Sequence, residues 1–470
     1  MTFDLVIRGG TVVTAEGSVR ADVGVTGGRI AALATELGAE AAREVVAADG
    51  LLVLPGIIDV HTHTRVATDD EPDRFFQDSM AAAFGGTTTF LAFNNPGTGA
   101  SEAAGRSLLV GLREWRERTE ADSAIDYAVS LVVTNRHGDA LDEIPRAIER
   151  GVPTFKAFMV YDFGVDDRTL FRLLGRAAGA GGMLEVHCED RVLVEAAVEA
   201  ALQRGDVLPR YHATTRTPEA EAVATHRAME FARAAGAPVY VVHLSSAKAL
   251  AEVARAKASG VRAFAETCPA YLALSNERYG GADSEAIRFI ISPPLRSPGE
   301  PAALWSGLAT GTLDLVGTDH VPDRLGREKA LAADASFDRV SNGAPGIETL
   351  LALVHGIGVA QGRITIERMV QALATTPARL FGLRSKGAIE VGRDADLVLF
   401  DPTAARTIRA GDLHHSSDYT PYEGMAVRGA VRSVFVRGTA VIRDGVFVGR
   451  RGFGRFIERE LDDRELEAAL

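Results

Sequence analysis

Eight apolar, strand-like runs alternate with Ala-, Arg- and Glu-rich stretches through the middle of the chain, and nothing else constrains its fold as tightly. The runs are residues 56–60, 87–93, 126–133, 154–160, 183–187, 239–243, 262–266 and 313–318. Apolar runs separated by helical stretches are the signature of βα units around a parallel sheet. Eight such units predict an α/β fold of the TIM type, a (β/α)8 barrel. The flanks have a different texture. Residues 4–8, 11–14, 22–25 and 29–32 read as short strands broken at Gly9-Gly10 and Gly27-Gly28. Residues 396–400, 431–436 and 439–442 repeat that style, followed by Asp444-Gly445. Because chain ends often lie close together, these flanks are expected to pair into a small β-sandwich domain, residues 1–54 with 385–450. The barrel then occupies 55–384. Residues 451–470 form a tail whose charged amphipathic stretch from Phe456 is expected to be a helix that packs on a neighbouring subunit or caps the surface.

Length and composition narrow the function classes. A chain of 470 residues has ample core for a large barrel with additions. A formal net charge of −12 argues against nucleic acid and against anionic membrane surfaces as partners. Two cysteines far apart, Cys188 and Cys268, do not make a secreted disulfide framework and suit a reducing cytosol. The start of the chain lacks the basic and long apolar segments of a signal peptide, and no run reaches the length of a membrane span. A cytoplasmic protein is expected.

The polar residues at the strand ends carry the chemistry. His61-Thr62-His63 closes the first run, and alternation along a strand points residues i and i+2 to one side, so both imidazoles converge. Lys156 lies in the fourth run, His187 closes the fifth, His243 closes the sixth, and Asp319 follows the eighth. Barrels of this type place their active sites at the C-terminal strand ends. Four imidazoles, an amine and a carboxylate at that end suit two divalent metal ions. Two such ions repel and need a bridging anion. Lys156 can supply one if burial depresses its pKa and the neutral amine captures CO₂ as a carbamate. A water bridging the metals would then ionise near neutral pH and attack a carbonyl, with Asp319 moving its proton to the leaving nitrogen.

Longer motifs accompany these residues: "GIIDVHTH", "TFKAFMVY", "EVHCED", "VYVVHLSS", "AETCPAYL", "SPPLR", "GTDHVP", "SNGAPGIE" and "DYTPYEGMAVRG". On them the chain resembles the dihydropyrimidinase and hydantoinase group of cyclic amidohydrolases over nearly its whole length. The resemblance implies hydrolysis of an amide bond in a five- or six-membered cyclic diamide, giving an N-carbamoyl amino acid. It implies that His61, His63 and Asp319 hold the more buried metal and that His187 and His243 hold the other. Carbamylated Lys156 would bridge them. Zn²⁺ is the default, and Mn²⁺ or Co²⁺ would fit the same ligands. It further implies that Tyr161 supports the tetrahedral oxyanion and that the main chain at Ser292 and Asn342 holds the –CO–NH–CO– unit of the ring, with Gly343 and Gly346 permitting close approach. A homo-oligomer, dimer or tetramer, is implied as well.

The loop after the first strand departs from that pattern. Residues 64–74 are polar and acidic where hydantoinases usually carry an apolar stretch. His61, His63 and Arg65 together give the HxHxR spacing of dihydroorotases, and Asn95 falls where those enzymes carry an asparagine. In dihydroorotases that pair grips a substrate carboxylate, for which a guanidinium fork is suited; a surface Arg65 paired with Asp69 or Asp70 is the plainer alternative. The expectation is a hydantoinase-type hydrolase whose substrate carries a polar or anionic substituent. Dihydroorotase and allantoinase are the rivals within the fold, and a non-catalytic dihydropyrimidinase-like scaffold is a remote one. Cys188 and Cys268 are read as core residues, His212 as orienting a helix or an interface, and His320 as support behind Asp319.

Overall fold

The computed structural model describes residues 2–38, 42–94, 101–330 and 336–468. The chain opens with β1 (Phe3–Val13), β2 (Ser18–Thr26), β3 (Arg29–Ala34), β4 (Ala42–Ala47) and β5 (Leu52–Pro55). Gly9-Gly10 does not break the first strand. It forms a bulge in which the register with β2 shifts between Ile7 and Gly10, and Gly9 takes φ +76°. Gly27-Gly28 turns the chain between β2 and β3, with φ of +59° and +78°. Two positive φ values in succession give the primed turn whose twist matches a hairpin.

The eight expected barrel strands are all present: β6 (Ile57–Thr62), β7 (Thr87–Phe93), β8 (Asp126–Val132), β9 (Thr154–Phe158), β10 (Met183–His187), β11 (Val239–Val241), β12 (Ala263–Thr267) and β13 (Leu315–Val316). They pair in parallel and in sequence order, and every residue in them is buried. The ring is joined at the Thr62–His320 bridge, where His63 N donates to His320 O at 2.7 Å. The last turn of the barrel is thus made by the segment that carries Asp319. Strands β11 and β13 are shorter than the apolar runs suggest. His243 and Asp319 lie just past them with φ of +40° and +52°, so the chain has left the extended conformation there.

The C-terminal strands β14 (Leu397–Thr407), β15 (Ala426–Val436), β16 (Thr439–Arg443) and β17 (Val446–Phe447) join the N-terminal ones in a nine-stranded mixed sheet. The seam is antiparallel pairing of β14 with β5. Leu5, Ile7, Val23, Val53, Leu397 and Phe435 form its own core. A buried ion cluster rivets this sheet to the barrel. Lys386 Nζ donates at 2.7 Å to Asp126 at the head of β8 and to Asp396 just before β14, and lies 3.2 Å from Asp394.

The tail differs from the expected long helix. Among its described residues only Asp463–Ala468 is helical. Before it, Tyr127 N donates to Arg455 O and Ile457 N to Tyr127 O, so the segment runs along β8 as an added strand-like edge. Arg459 is buried and donates to Thr154 Oγ1 at 2.8 Å, at the N-terminal end of β9. Leu466 is buried in a cluster with Leu380 and Phe381. The tail's apolar side is therefore covered by its own barrel. Among the described residues no helix is long and apolar enough to cross a membrane.

Removing the charge of Lys386 leaves Asp126 with Arg437 and Asp394 with Arg29 at 3.9 Å, but among the described residues no other side-chain cation pairs with buried Asp396, and leaving a buried charge uncompensated costs about 3–5 kcal/mol. Lys386→Met is expected to lower the denaturant midpoint of unfolding by a corresponding amount. An unchanged midpoint would show that the cluster does not hold the two sheets together.

Candidate active site

The strand ends bring the predicted residues to one place. His61 lies in β6 and His63 just past its end, and their Nε2 atoms lie 3.0 and 3.3 Å from Asp319 Oδ1. One ligand atom from each of the three falls within 4.8 Å of the others. The His61 and His243 rings are 5.3 Å apart and those of His187 and His243 4.5 Å. Lys156, wholly buried on β9, sits over the Phe93 ring at 4.6 Å. Its register neighbours are Val132 on β8 and Glu185 on β10.

The donor set fits divalent metal. Lys156 Nζ and His243 Nδ1 are buried and have no hydrogen-bond partner among the described residues. Such orphaned donors are costly unless something else binds them. Imidazole nitrogens with carboxylate oxygen are the ligands that borderline cations such as Zn²⁺ prefer.

Electrostatics sets each group's protonation. Burial pushes the Lys156 amine below its ordinary pKa, opposed by the nearby carboxylates Glu185 and Asp319. Burial likewise lowers His187, His63 and His243, the last most strongly, and keeps these imidazoles neutral, as ligands must be. For Asp319 burial acts upward, but His61 and His63 hold its carboxyl well below the usual range. For His61 burial acts downward and the adjacent Glu266 outweighs it, lifting the imidazole to about 9, so a metal taken up at His61 would have to displace a proton.

Two acids missing from the sequence reading orient these ligands. Glu266, near the end of β12, meets His61 Nδ1 and also accepts from Tyr240 Oη at 2.8 Å and His243 N at 3.2 Å. His61 Nε2 is thereby directed at the site. Glu189 accepts from His187 Nε2 at 2.8 Å and is held by Arg216 at 2.6 Å, which leaves His187 Nδ1 for the site. Carboxylates behind imidazole ligands set ring orientation and basicity. A signal for each existed: Glu266 closes the seventh run as His187 and His243 close their own, and Glu189 follows His187 by two.

Tyr161 stands at the mouth, stacked on Phe163 at 5.3 Å and 5.4 Å from the His187 ring. Burial raises its pKa, so the phenol stays protonated and can donate. Arg216 lies 5.1 Å from its ring, and Ser292 and Asn342 neighbour its hydroxyl. Tyr161 has φ +72°. It shares the left-handed region with His243 and Asp319, and each such residue stores on the order of 1–3 kcal/mol of backbone strain. Strained non-glycine residues concentrate where the surrounding fold must aim a group.

Arg65 is placed differently from the carboxylate grip expected of it. Its guanidinium is ion-paired with Asp323, fully buried, and with Glu328 at 2.5 Å, not with Asp69 or Asp70. A substrate carboxylate would have to displace both acids. Arg74, Arg324 and Arg327 meet Glu71 in the same cluster, which ties residues 64–74 to the loop after Asp319. Arg65, Glu71 and Arg74 of that loop are therefore ion-paired within the protein, while Asp69 and Asp70 are exposed. Asn95 lies outside the described residues. His320 supports the site from behind, its Nδ1 accepting from Gly346 N at 3.1 Å. His212 donates to Ile291 O at 2.8 Å, and Cys188 and Cys268 are buried free thiols.

A parallel barrel with His, Lys and Asp gathered at its C-terminal strand ends defines a metallohydrolase-type site. The amidohydrolase family model matches residues 52–441. A D-hydantoinase of Streptomyces coelicolor is 41% identical over 468 residues, covering 98% of each chain. A D-hydantoinase of Geobacillus stearothermophilus is 38% identical over 459 residues, 96% of each. The crystal structure of dihydropyrimidinase from Brevibacillus agri has a TM-score of 0.91 at 39% identity, over 97% of this chain and 98% of that one. L-hydantoinase from Arthrobacter aurescens has a TM-score of 0.88 at 28% identity, over 97% and 100%. The chain belongs to the amidohydrolase family, in its hydantoinase and dihydropyrimidinase group.

Glu266→Gln keeps the shape but removes the charge that directs His61, and such changes behind a ligand cost about 10–100-fold in metal affinity. Competition with a chelator is expected to show a loss of that size. Wild-type affinity in the variant would remove Glu266 from the site.

Proposed function

We propose that the protein hydrolyses the amide bond of a five- or six-membered cyclic diamide such as a hydantoin or dihydrouracil, releasing an N-carbamoyl amino acid. The observation that carries this reading is the convergence of His61, His63, Lys156, His187, His243 and Asp319 at one barrel mouth with Tyr161 above them. His61, His63 and Asp319 would hold one divalent ion, His187 and His243 a second, and Lys156 as a carbamate would join them. Such a pair, Zn²⁺ by donor preference and Mn²⁺ or Co²⁺ by the same ligands, supplies Lewis acidity and lowers the pKa of water.

The chain's own residues do the rest. Asp319, ionised and beside His61 and His63, takes a proton from the attacking water and returns it to the ring nitrogen as the C–N bond breaks. Tyr161 Oη donates to the carbonyl oxygen as negative charge develops on it. Main-chain groups at Ser292 and Asn342 hold the –CO–NH–CO– face so that the scissile carbonyl meets Tyr161. The lowered pKa of Lys156 supports carbamate formation, since only the neutral amine captures CO₂. The engagement of Arg65 by Asp323 and Glu328 favours neutral rings over dihydroorotate. The family resemblance supports a dimer or tetramer, and the buried unpaired cysteines support a cytoplasmic setting.

A hydrolysis panel on metal-loaded protein tests this. Hydantoin and dihydrouracil are expected to be turned over, with dihydroorotate and allantoin far slower. A preference for dihydroorotate would contradict the reading and return Arg65 to a substrate-binding role.

A further inference from the structure

Lys329 is fully buried, and its ammonium donates at 2.6 Å to Ile290 O and at 2.6 Å to Ser341 O. Those two carbonyls belong to different segments, one ending at Ser292 and the other leading into Asn342. The surrounding backbone shows a pattern. Tyr279 Oη donates to Phe289 O at 3.0 Å, His212 Nε2 to Ile291 O at 2.8 Å and Tyr271 Oη to Pro293 O at 2.6 Å. On the other segment, Tyr419 Oη donates to Gly343 O at 3.2 Å. Buried side chains thus occupy the carbonyls on either side of Ser292 and of Asn342. Among the described residues no donor occupies the carbonyl of Ser292 or of Asn342 itself.

Burying an ammonium is expensive, and a neutral donor serves each of the other carbonyls. What lysine adds is three protons on one atom, enough to satisfy two carbonyls on two segments at once. The negative charge of Asp323, itself ion-paired with Arg65, acts in favour of the ammonium. We propose that Lys329 is a positioning residue for the substrate ring: with Tyr419 it fixes the separation and facing of the Ser292 and Asn342 carbonyls. The inference rests on the reading above that these two main-chain positions receive the ring. Lys329 touches neither the metal ligands nor Tyr161, so its loss affects ring binding and leaves the chemical step.

The test is steady-state kinetics of full-length, metal-loaded Lys329→Met on hydantoin, with metal content measured on the same sample. Losing a charge-assisted pair of hydrogen bonds is expected to raise KM by about tenfold or more while kcat stays within about threefold. Metal content should match the wild type. An unchanged KM, or a loss confined to kcat, overturns the proposal. Tyr419→Phe deletes one oxygen from the far side and is expected to raise KM in the same direction by a smaller factor. If Lys329→Met does not fold, an unchanged KM in Tyr419→Phe overturns the proposal by itself. The wild type is assayed alongside: a wild type inert toward every cyclic diamide removes the substrate reading and this inference with it, whereas an active wild type isolates the role of Lys329.

Discussion

An amine buried among imidazoles is the constraint from which the rest of this site follows. Lys156 is buried against the rings of Phe93 and Phe158 with the carboxylates of Glu185 and Asp319 nearby, and no hydrogen bond satisfies it among the described residues. A charged ammonium there would repel any cation brought by His61, His63, His187 and His243. A neutral amine converted to a carbamate reverses the sign of that interaction. The proposed carbamate is supported by two features: burial depresses the pKa of Lys156, and Glu266 and Glu189 sit behind His61 and His187 and engage one ring nitrogen of each. The barrel supplies rigidity, and the strained φ values of Tyr161, His243 and Asp319 show where that rigidity is used to aim side chains.

Much of this was legible in the sequence because the signal was periodic or terminal. Continuous apolar runs announced all eight barrel strands, and the polar residue closing a run announced His187 and His243. Where the reading fell short, the cause lies in tertiary structure. Gly9-Gly10 resembles a strand break but is a bulge, because pairing with β2 resumes one step out of register. The tail has helical composition, yet main-chain bonds to Tyr127 hold its first half extended against β8. Glu266 closes a run and Glu189 follows His187 by two, but those positions alone do not distinguish an acid that orients an imidazole from one paired elsewhere. For Glu266 the partner is His61, 205 residues away on β6, and only the folded barrel brings the two together.

Arg65 shows the same limit in the substrate question. Its spacing from His61 and His63 suggests a carboxylate grip, but Asp323 and Glu328 lie some 260 residues further along the chain, at separations of 258 and 263. Only the closure of the barrel brings them together. The consequence reaches past Arg65. Asp323 lies within electrostatic reach of Lys329, and Lys329 holds the segments on which the ring is proposed to rest. A polar loop that looks like a specificity element is, in the fold, ion-paired to the loop after Asp319 that also carries Lys329.

The most direct measurement is metal stoichiometry together with detection of the lysine carbamate. Wild-type protein prepared with divalent metal and ¹³C-bicarbonate is expected to bind two metal ions per chain and to show a carbamate ¹³C resonance, with Lys156→Ala losing the resonance, metal at the shared site and hydrolytic activity together. A Lys156→Ala protein that retains two metals and full activity would contradict the central claim.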